Sequence, residues 1–239
     1  MKTLVALLTL CLISPFLCAE TLNIGTSSFD PPMEMQATKG GVFTGFEIDL
    51  VNEVCRRLNT RCVYKPMTFK EIMMGVSDGT IDLGIDGFFI TNERRAYYLF
   101  SQPYLQTKAQ LLAMADTHID STSVNTGRRI GVEAGTVFKT LLLKMYNNVK
   151  VIDYQDQQDM LQDLSDHKLD LVMFDHIGAS YWVNNSQGIF NFVGNPIPMG
   201  MGYGILANLN KQSLMTRINK AFNDMGNDGT YLSIYSRYF

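Results

Sequence analysis

Residues Gly84 to Tyr104 read G-I-D-G-F-F-I-T-N-E-R-R-A-Y-Y-L-F-S-Q-P-Y, and the change of character along this stretch organises the chain around it. The apolar run Ile81 to Ile85 has the pattern of a strand and stops at Asp86-Gly87, a polar turn. A strand ending there presents the backbone groups of Asp86, Gly87 and Phe88 at its C-terminal end, the end at which open α/β sheets bind ligands. Arg94 follows one short helix later. Alone, such an arginine more often forms a surface ion pair. Beside a strand end, its guanidinium fork is suited to a small carboxylate, with adjacent backbone N–H groups completing the hydrogen bonds.

Outward from this stretch, apolar residues switch repeatedly between a period of two and a period of 3.6. The pattern predicts strands at Leu22–Gly25, Cys62–Tyr64, Ile81–Ile85, Leu111–Met114, Arg129–Val132, Val149–Ile152, Leu169–Phe174 and Tyr203–Ala207. Helices are predicted over Phe46–Leu58, Phe69–Ser77, Thr136–Tyr146, Gln157–Ser165, Asp175–Asn184 and Lys211–Met225. Alternation of this kind implies parallel sheets flanked by helices. Polar and small residues cluster at Thr117–Arg128, and Gly194–Gly204 holds two Pro and four Gly. The second cluster reads as a crossover.

Composition narrows the function classes. The chain has 239 residues, 46% hydrophobic and 18% charged, with a formal net charge of −3. That is enough apolar material for a core and leaves no basic surface for nucleic acid. Lys2 precedes an apolar run, Leu4 to Leu17, interrupted only by Thr9, Cys11, Ser14 and Pro15. Glu20 ends it before the roughly 20 apolar residues that a membrane span needs. It is therefore read as a signal peptide, residues 1–19, cleaved after Ala19. Lipid attachment at Cys18 is the alternative, disfavoured by Leu17 where a small residue is wanted.

Cleavage leaves Cys55 and Cys62 as the cysteines of an exported chain, for which a disulfide is expected and two buried thiols the alternative. Closing so short a loop is worth about 2.5 kcal/mol. His118, His167 and His176 lack the spacing of a zinc site. No phosphate loop, G-x-S-x-G or H-E-x-x-H pattern occurs, and Gly200–Gly204 is wrongly spaced for a dinucleotide turn. A catalytic constellation assembled in space is not excluded by this.

The motifs I-T-N-E-R (Ile90–Arg94) and F-S-Q-P-Y (Phe100–Tyr104) resemble a signature of the bacterial extracellular solute-binding proteins of family 3, the periplasmic polar and basic amino-acid binding group. Gly45-Phe46-Glu47-Ile48-Asp49-Leu50, Gly135-Thr136, Tyr154 through Asp175, and Asp228-Gly229-Thr230-Tyr231 are similar to that family in the same order. Cys55 and Cys62 stand where its basic amino-acid members have a disulfide. The resemblance implies an α/β fold of two lobes, the type II periplasmic-binding-protein fold, with a two-stranded hinge. It places residues 20–107 and 199–239 in lobe 1 and residues 108–198 in lobe 2, with the ligand trapped as they close.

A free amino acid needs a cationic fork, an anion for its ammonium and a side-chain pocket. The resemblance gives Arg94 and the Gly87 N–H to the carboxylate, with N–H groups at Thr136 and Val137, where a helix opens, and gives Asp175 to the ammonium. Asp175 is equally a candidate helix N-cap, and both roles are compatible. Relatives usually have Ser or Thr at Asp86, a polar residue at Phe89 and Thr or Ser at Val137. Asp86 and Glu133 instead offer acids to a distal ligand cation, and Glu133 matches an acid of arginine-selective members. Phe69 occupies a stacking position, where a ring would hold a guanidinium plane. At the other stacking position Phe29 is offset by one residue, so either Phe29 stacks or Asp30 is a ligand. Ser27 completes the implied set.

The resemblance therefore implies a monomeric periplasmic protein that delivers an amino acid to the membrane permease of an ABC importer, without cofactor or metal. Arginine is the first expectation, then lysine, ornithine and histidine, then glutamine. The alternatives are an exported enzyme on the same scaffold, similar to cyclohexadienyl or arogenate dehydratases with Glu133 or Asp86 as the acid, and a binding protein that feeds a sensor.

Overall fold

The computed structural model describes residues 20–239. The expected signal peptide, with Cys11 and Cys18, lies outside the described residues. The first part of the chain forms β1 (Thr21–Thr26), β2 (Phe29–Asp30), β3 (Glu34–Gln36), β4 (Phe43–Thr44), α1 (Phe46–Leu58), β5 (Arg61–Pro66), α2 (Phe69–Asp78), β6 (Leu83–Gly84), α3 (Asn92–Arg95) and β7 (Tyr98–Phe100). Then follow β8 (Lys108–Met114), β9 (Arg128–Glu133), α4 (Phe138–Met145), β10 (Val149–Tyr154), α5 (Gln157–Ser165), β11 (Leu171–Asp175), α6 (His176–Asn185) and β12 (Phe190–Pro198). The chain ends in β13 (Leu206–Asn208), α7 (Gln212–Asn227) and α8 (Thr230–Tyr235).

The apolar period explains the helix faces. In α1, Ile48, Val51 and Cys55 are buried together, and Asn59 stops the helix in the left-handed conformation. Thr68 and Glu71 form a capping box at the start of α2, which satisfies two helix-end donors at once. Cys55 and Cys62 are disulfide-bonded with Cα atoms 6.1 Å apart, tying the end of α1 to β5. Phe46, fully buried, meets the rings of Tyr231, Tyr235, Tyr238 and Phe239, which docks the C-terminal segment onto α1.

Two five-stranded sheets result, in the orders β5-β1-β6-β13-β7 and β10-β9-β11-β8-β12, beside a small β2-β3-β4 sheet. The large sheets are mixed, whereas the strand–helix alternation predicted parallel ones. β1 runs parallel to β5 and β6, and β9 parallel to β10 and β11, but β13 and β8 are antiparallel to both of their neighbours. These are the first strands formed after the chain passes from one sheet to the other. No helix intervenes to carry the chain back to the starting end, so each enters reversed. The first sheet draws on residues 21–100 and 206–208, the second on residues 108–198.

Candidate ligand-binding site

A small cavity lies between the two sheets. The first sheet and its connections contribute Asp30, Phe69, Asp86, Gly87, Phe89, Arg94 and Tyr203. The second contributes Glu133, Thr136, Val137, Phe138, Gln157 and Asp175. Asp86, Glu133 and Asp175 stand at or just beyond the C-terminal ends of β6, β9 and β11, so the topology aims them at the same space.

Arg94 is the cavity's cation. Its guanidinium donates to the Phe89 carbonyl at 3.0 Å and, across the gap between the sheets, to the Gly135 carbonyl at 3.1 Å. It lies 5.2 Å from the centre of the Phe69 ring and 5.8 Å from that of Phe88. Burial lowers it to about 10, so it remains charged at neutral pH, with no carboxylate as partner among the described residues. The two carbonyls and the rings fix the plane of the fork while leaving its charge uncompensated.

Acids outnumber it. Asp30, Asp86, Glu133 and Asp175 line the cavity, and Glu34 and Glu47 lie beside them, all six buried. Burial raises Asp30, Glu34 and Glu133 well above the ordinary carboxyl range, reinforced for each by neighbouring carboxylates. Asp86 is pushed up to about 8, chiefly by burial. Burial also raises Asp175, opposed by the N–H groups of Gly178 and Ile177. Carboxylate oxygens of Asp30, Glu34 and Asp86 lie within 4.8 Å of one another, a spacing at which the group holds protons or closes on a cation.

The family model for bacterial extracellular solute-binding proteins, family 3, matches residues 22–239. The chain belongs to that family. It is 30% identical over 241 residues to the arginine-binding periplasmic protein of Mannheimia haemolytica, covering 99% of this chain and 98% of that protein. Among solved structures it is similar to an arginine 3rd transport system periplasmic binding protein from Legionella pneumophila, with a TM-score of 0.87, 35% identity and coverage of 92% and 100% of the two chains. An ancestral arginine-binding protein, solved bound to arginine and also bound to glutamine, gives a TM-score of 0.84 at 30% identity. Those structures cover 92% of this chain and 98% and 97% of the arginine-bound and glutamine-bound chains. The two-lobed α/β architecture is that of type II periplasmic binding proteins.

Within this family-3 protein the expected residues fall into three groups. Asp30, Asp86, Glu133, Thr136, Val137, Phe89 and Asp175 line the cavity with Arg94. Asp175 also caps α6, its Oδ1 accepting from the N–H groups of Ile177 at 2.8 Å and Gly178 at 3.1 Å. Gly87 and Phe69 line the cavity too, but their strongest contacts differ from those expected. The Gly87 N–H donates to Glu47 Oε1 at 3.0 Å, so it is already engaged by protein. Phe69 stands 4.4 Å from Phe88 and beneath Arg94, so it supports the fork. The third group lies outside the cavity: Phe29 packs on Trp182 at 5.9 Å, and the Ser27 hydroxyl donates to Glu34 at 3.3 Å. Asp30, not Phe29, faces the cavity.

The predicted helix at Thr136 begins two residues later. Thr136 closes a turn on the Glu133 carbonyl through its hydroxyl at 2.7 Å and its N–H at 3.3 Å, so that N–H is not a free helix-end donor. Tyr203, Phe138, Gln157, Glu34 and Glu47 were missed. Glu47 accepts from the Tyr104 hydroxyl as well as from Gly87, which holds the turn after β6 in place. Gly87 has φ +54, and a Cβ there would lie 3.1 Å from Tyr203 Cζ, so the close approach of Tyr203 requires glycine.

Proposed function

We propose that this protein is the periplasmic binding component of an amino-acid ABC importer, with a basic amino acid, arginine first, as its ligand. The observation that carries this reading is the charge layout of the cavity: one uncompensated arginine fork among four lining carboxyls. An amino-acid carboxylate answers Arg94, its ammonium answers Asp175, and a distal guanidinium or ammonium answers Asp86 and Glu133. Neutral amino acids would leave that last pair without a cation. The names of the relatives support arginine in particular.

In this reading, residues 20–107 and 199–239 form one lobe and residues 108–198 the other. The contact from Arg94 to Gly135 and the Phe89–Phe138 ring contact at 6.0 Å join them around the ligand. The protein works as a monomer in the periplasm and hands its ligand to a membrane permease. It performs no chemistry, and purified protein is expected to leave prephenate and arogenate unchanged. The direct test is calorimetric titration of residues 20–239, unfolded and refolded to strip bound ligand, with arginine, lysine, ornithine, histidine, glutamine and glutamate. Saturable binding of arginine ahead of the others supports the reading, and preference for glutamate contradicts it.

A further inference from the structure

Two carboxyls from opposite sides of the cavity point at one small gap. Asp30, in β2, and Asp175, at the head of α6, are each 5% exposed. A Cβ at Gly178 would lie 3.2 Å from Asp175 Oδ2 and 3.7 Å from Asp30 Oδ1. The missing side chain at residue 178 is therefore what leaves room between the two acids. Gly178 is the third residue of α6 and does not have a positive φ, so alanine would suit the helix at least as well. The backbone does not need glycine there, but the gap does.

The acceptors around the gap are only partly used. Asp175 Oδ1 takes the helix N–H groups and lies 3.4 Å from the Thr107 hydroxyl, while Oδ2 is the oxygen nearest the gap. Among the described residues Asp30 Oδ1 has no hydrogen-bond donor. Asp175 is the strongest neighbouring charge on Asp30, ahead of Glu133 and Glu47. Two buried carboxylates without a cation call for a compact group that carries positive charge and several N–H donors, which describes an ammonium.

We propose that the ligand's α-ammonium is clasped by Asp30 and Asp175 together, above Gly178, with one carboxylate supplied from each side of the cavity. This rests on the amino-acid binding reading above and adds Asp30 and Gly178 to it. The ammonium then does more than fill a subsite, because it cancels a repulsion between the two sides that closure would otherwise have to overcome.

The test compares arginine with 5-guanidinopentanoate, the same molecule without its ammonium, on wild type, Asp30→Asn and Gly178→Ala. Wild type is expected to prefer arginine by about 100-fold or more. Asp30→Asn should weaken arginine by about 30-fold or more while leaving the analogue unchanged or tighter, so the preference collapses. The ligand-free melting temperature of this variant should not fall, because an amide of the same shape replaces a buried acid that is disfavoured from ionising without ligand. Gly178→Ala should lose arginine affinity with no loss of ligand-free stability. An equal loss of both ligands in Asp30→Asn, or a larger loss of the analogue, would overturn the clasp by making Asp30 structural or placing it at the guanidinium end. Normal arginine binding by Gly178→Ala would overturn it independently of how Asp30→Asn folds. A wild type that binds no amino acid defeats the functional reading itself and the clasp with it, whereas the variant outcomes defeat the clasp alone.

Discussion

The Phe29 ring meets Trp182 at 5.9 Å with an interplanar angle of 47°, joining the segment after β1 to helix α6 beside the cavity. This contact replaces the ligand stacking that the sequence allowed for Phe29. It also leaves the neighbouring side chain, Asp30, facing inward.

Trp182 is the sole tryptophan of the chain, so intrinsic fluorescence reads this contact without a label. Saturating arginine should shift the emission of stripped protein as the two sides come together, and Phe29→Ala should abolish most of that shift. Unchanged emission at ligand concentrations that saturate by calorimetry would remove the contact from the closing motion.

Arg94→Ala should weaken arginine by about 2–5 kcal/mol, because the ligand carboxylate loses its partner in a buried site. Arg94→Lys should restore little of this, since a lysine cannot satisfy the Phe89 and Gly135 carbonyls and a carboxylate in one plane. Equal affinities in all three proteins would exclude Arg94 from the site.

The fold of the first sheet and the position of the candidate site are legible where the signal is local. The strand stop at Asp86-Gly87 and the short helix to Arg94 are contiguous, and Asp175 announces itself as an N-cap at the head of a periodic segment. What could not be read depends on distance. Glu47 holds the N–H of Gly87 from 40 residues away and Tyr104 from 57, and no periodicity connects them. The reversed strands β8 and β13 follow from the order in which the chain visits the sheets. The choice between Phe29 and Asp30 turns on which side of a two-residue strand faces inward, a span too short for alternation to decide.

Stability should fall as pH rises. Asp86, which faces Glu34, Asp30, Glu47 and Ser27, keeps its proton in the folded chain up to about 8, while an unfolded aspartate releases it near 3.8. Its contribution is complete below the lower value and is lost as pH climbs through the upper one. Asp30, Glu34 and Glu133, which faces Asp86, Asp156, Asp175 and Gln157, act in the same direction. Carboxyls held low by partners, among them Asp82, Asp170 and Asp228, work oppositely, losing stability as pH falls toward the acid range. Ligand-free protein should therefore melt about 5 °C or more lower at pH 8 than at about pH 5.5. A cationic ligand replaces those protons, so the stabilisation that arginine confers should grow over the same interval. A flat melting profile would show that the acids are not buried together in solution.

Cys55→Ser with Cys62→Ser should cost about 2.5 kcal/mol in urea unfolding, the loop-closure contribution of a short disulfide. Arginine affinity should not change, because neither cysteine lines the cavity. A loss of affinity at fixed stability would connect α1 to the site by a route other than folding.

The central claim is that the paired acids of the cavity are matched to a ligand with an α-carboxylate, an α-ammonium and a distal cation. Titration calorimetry of stripped, refolded residues 20–239 with arginine tests it most directly. The account predicts saturable one-to-one binding with a dissociation constant in the micromolar range or tighter, about −8 kcal/mol or below, and weaker binding of glutamine. Absence of arginine binding alongside tight binding of a neutral or acidic amino acid would contradict it.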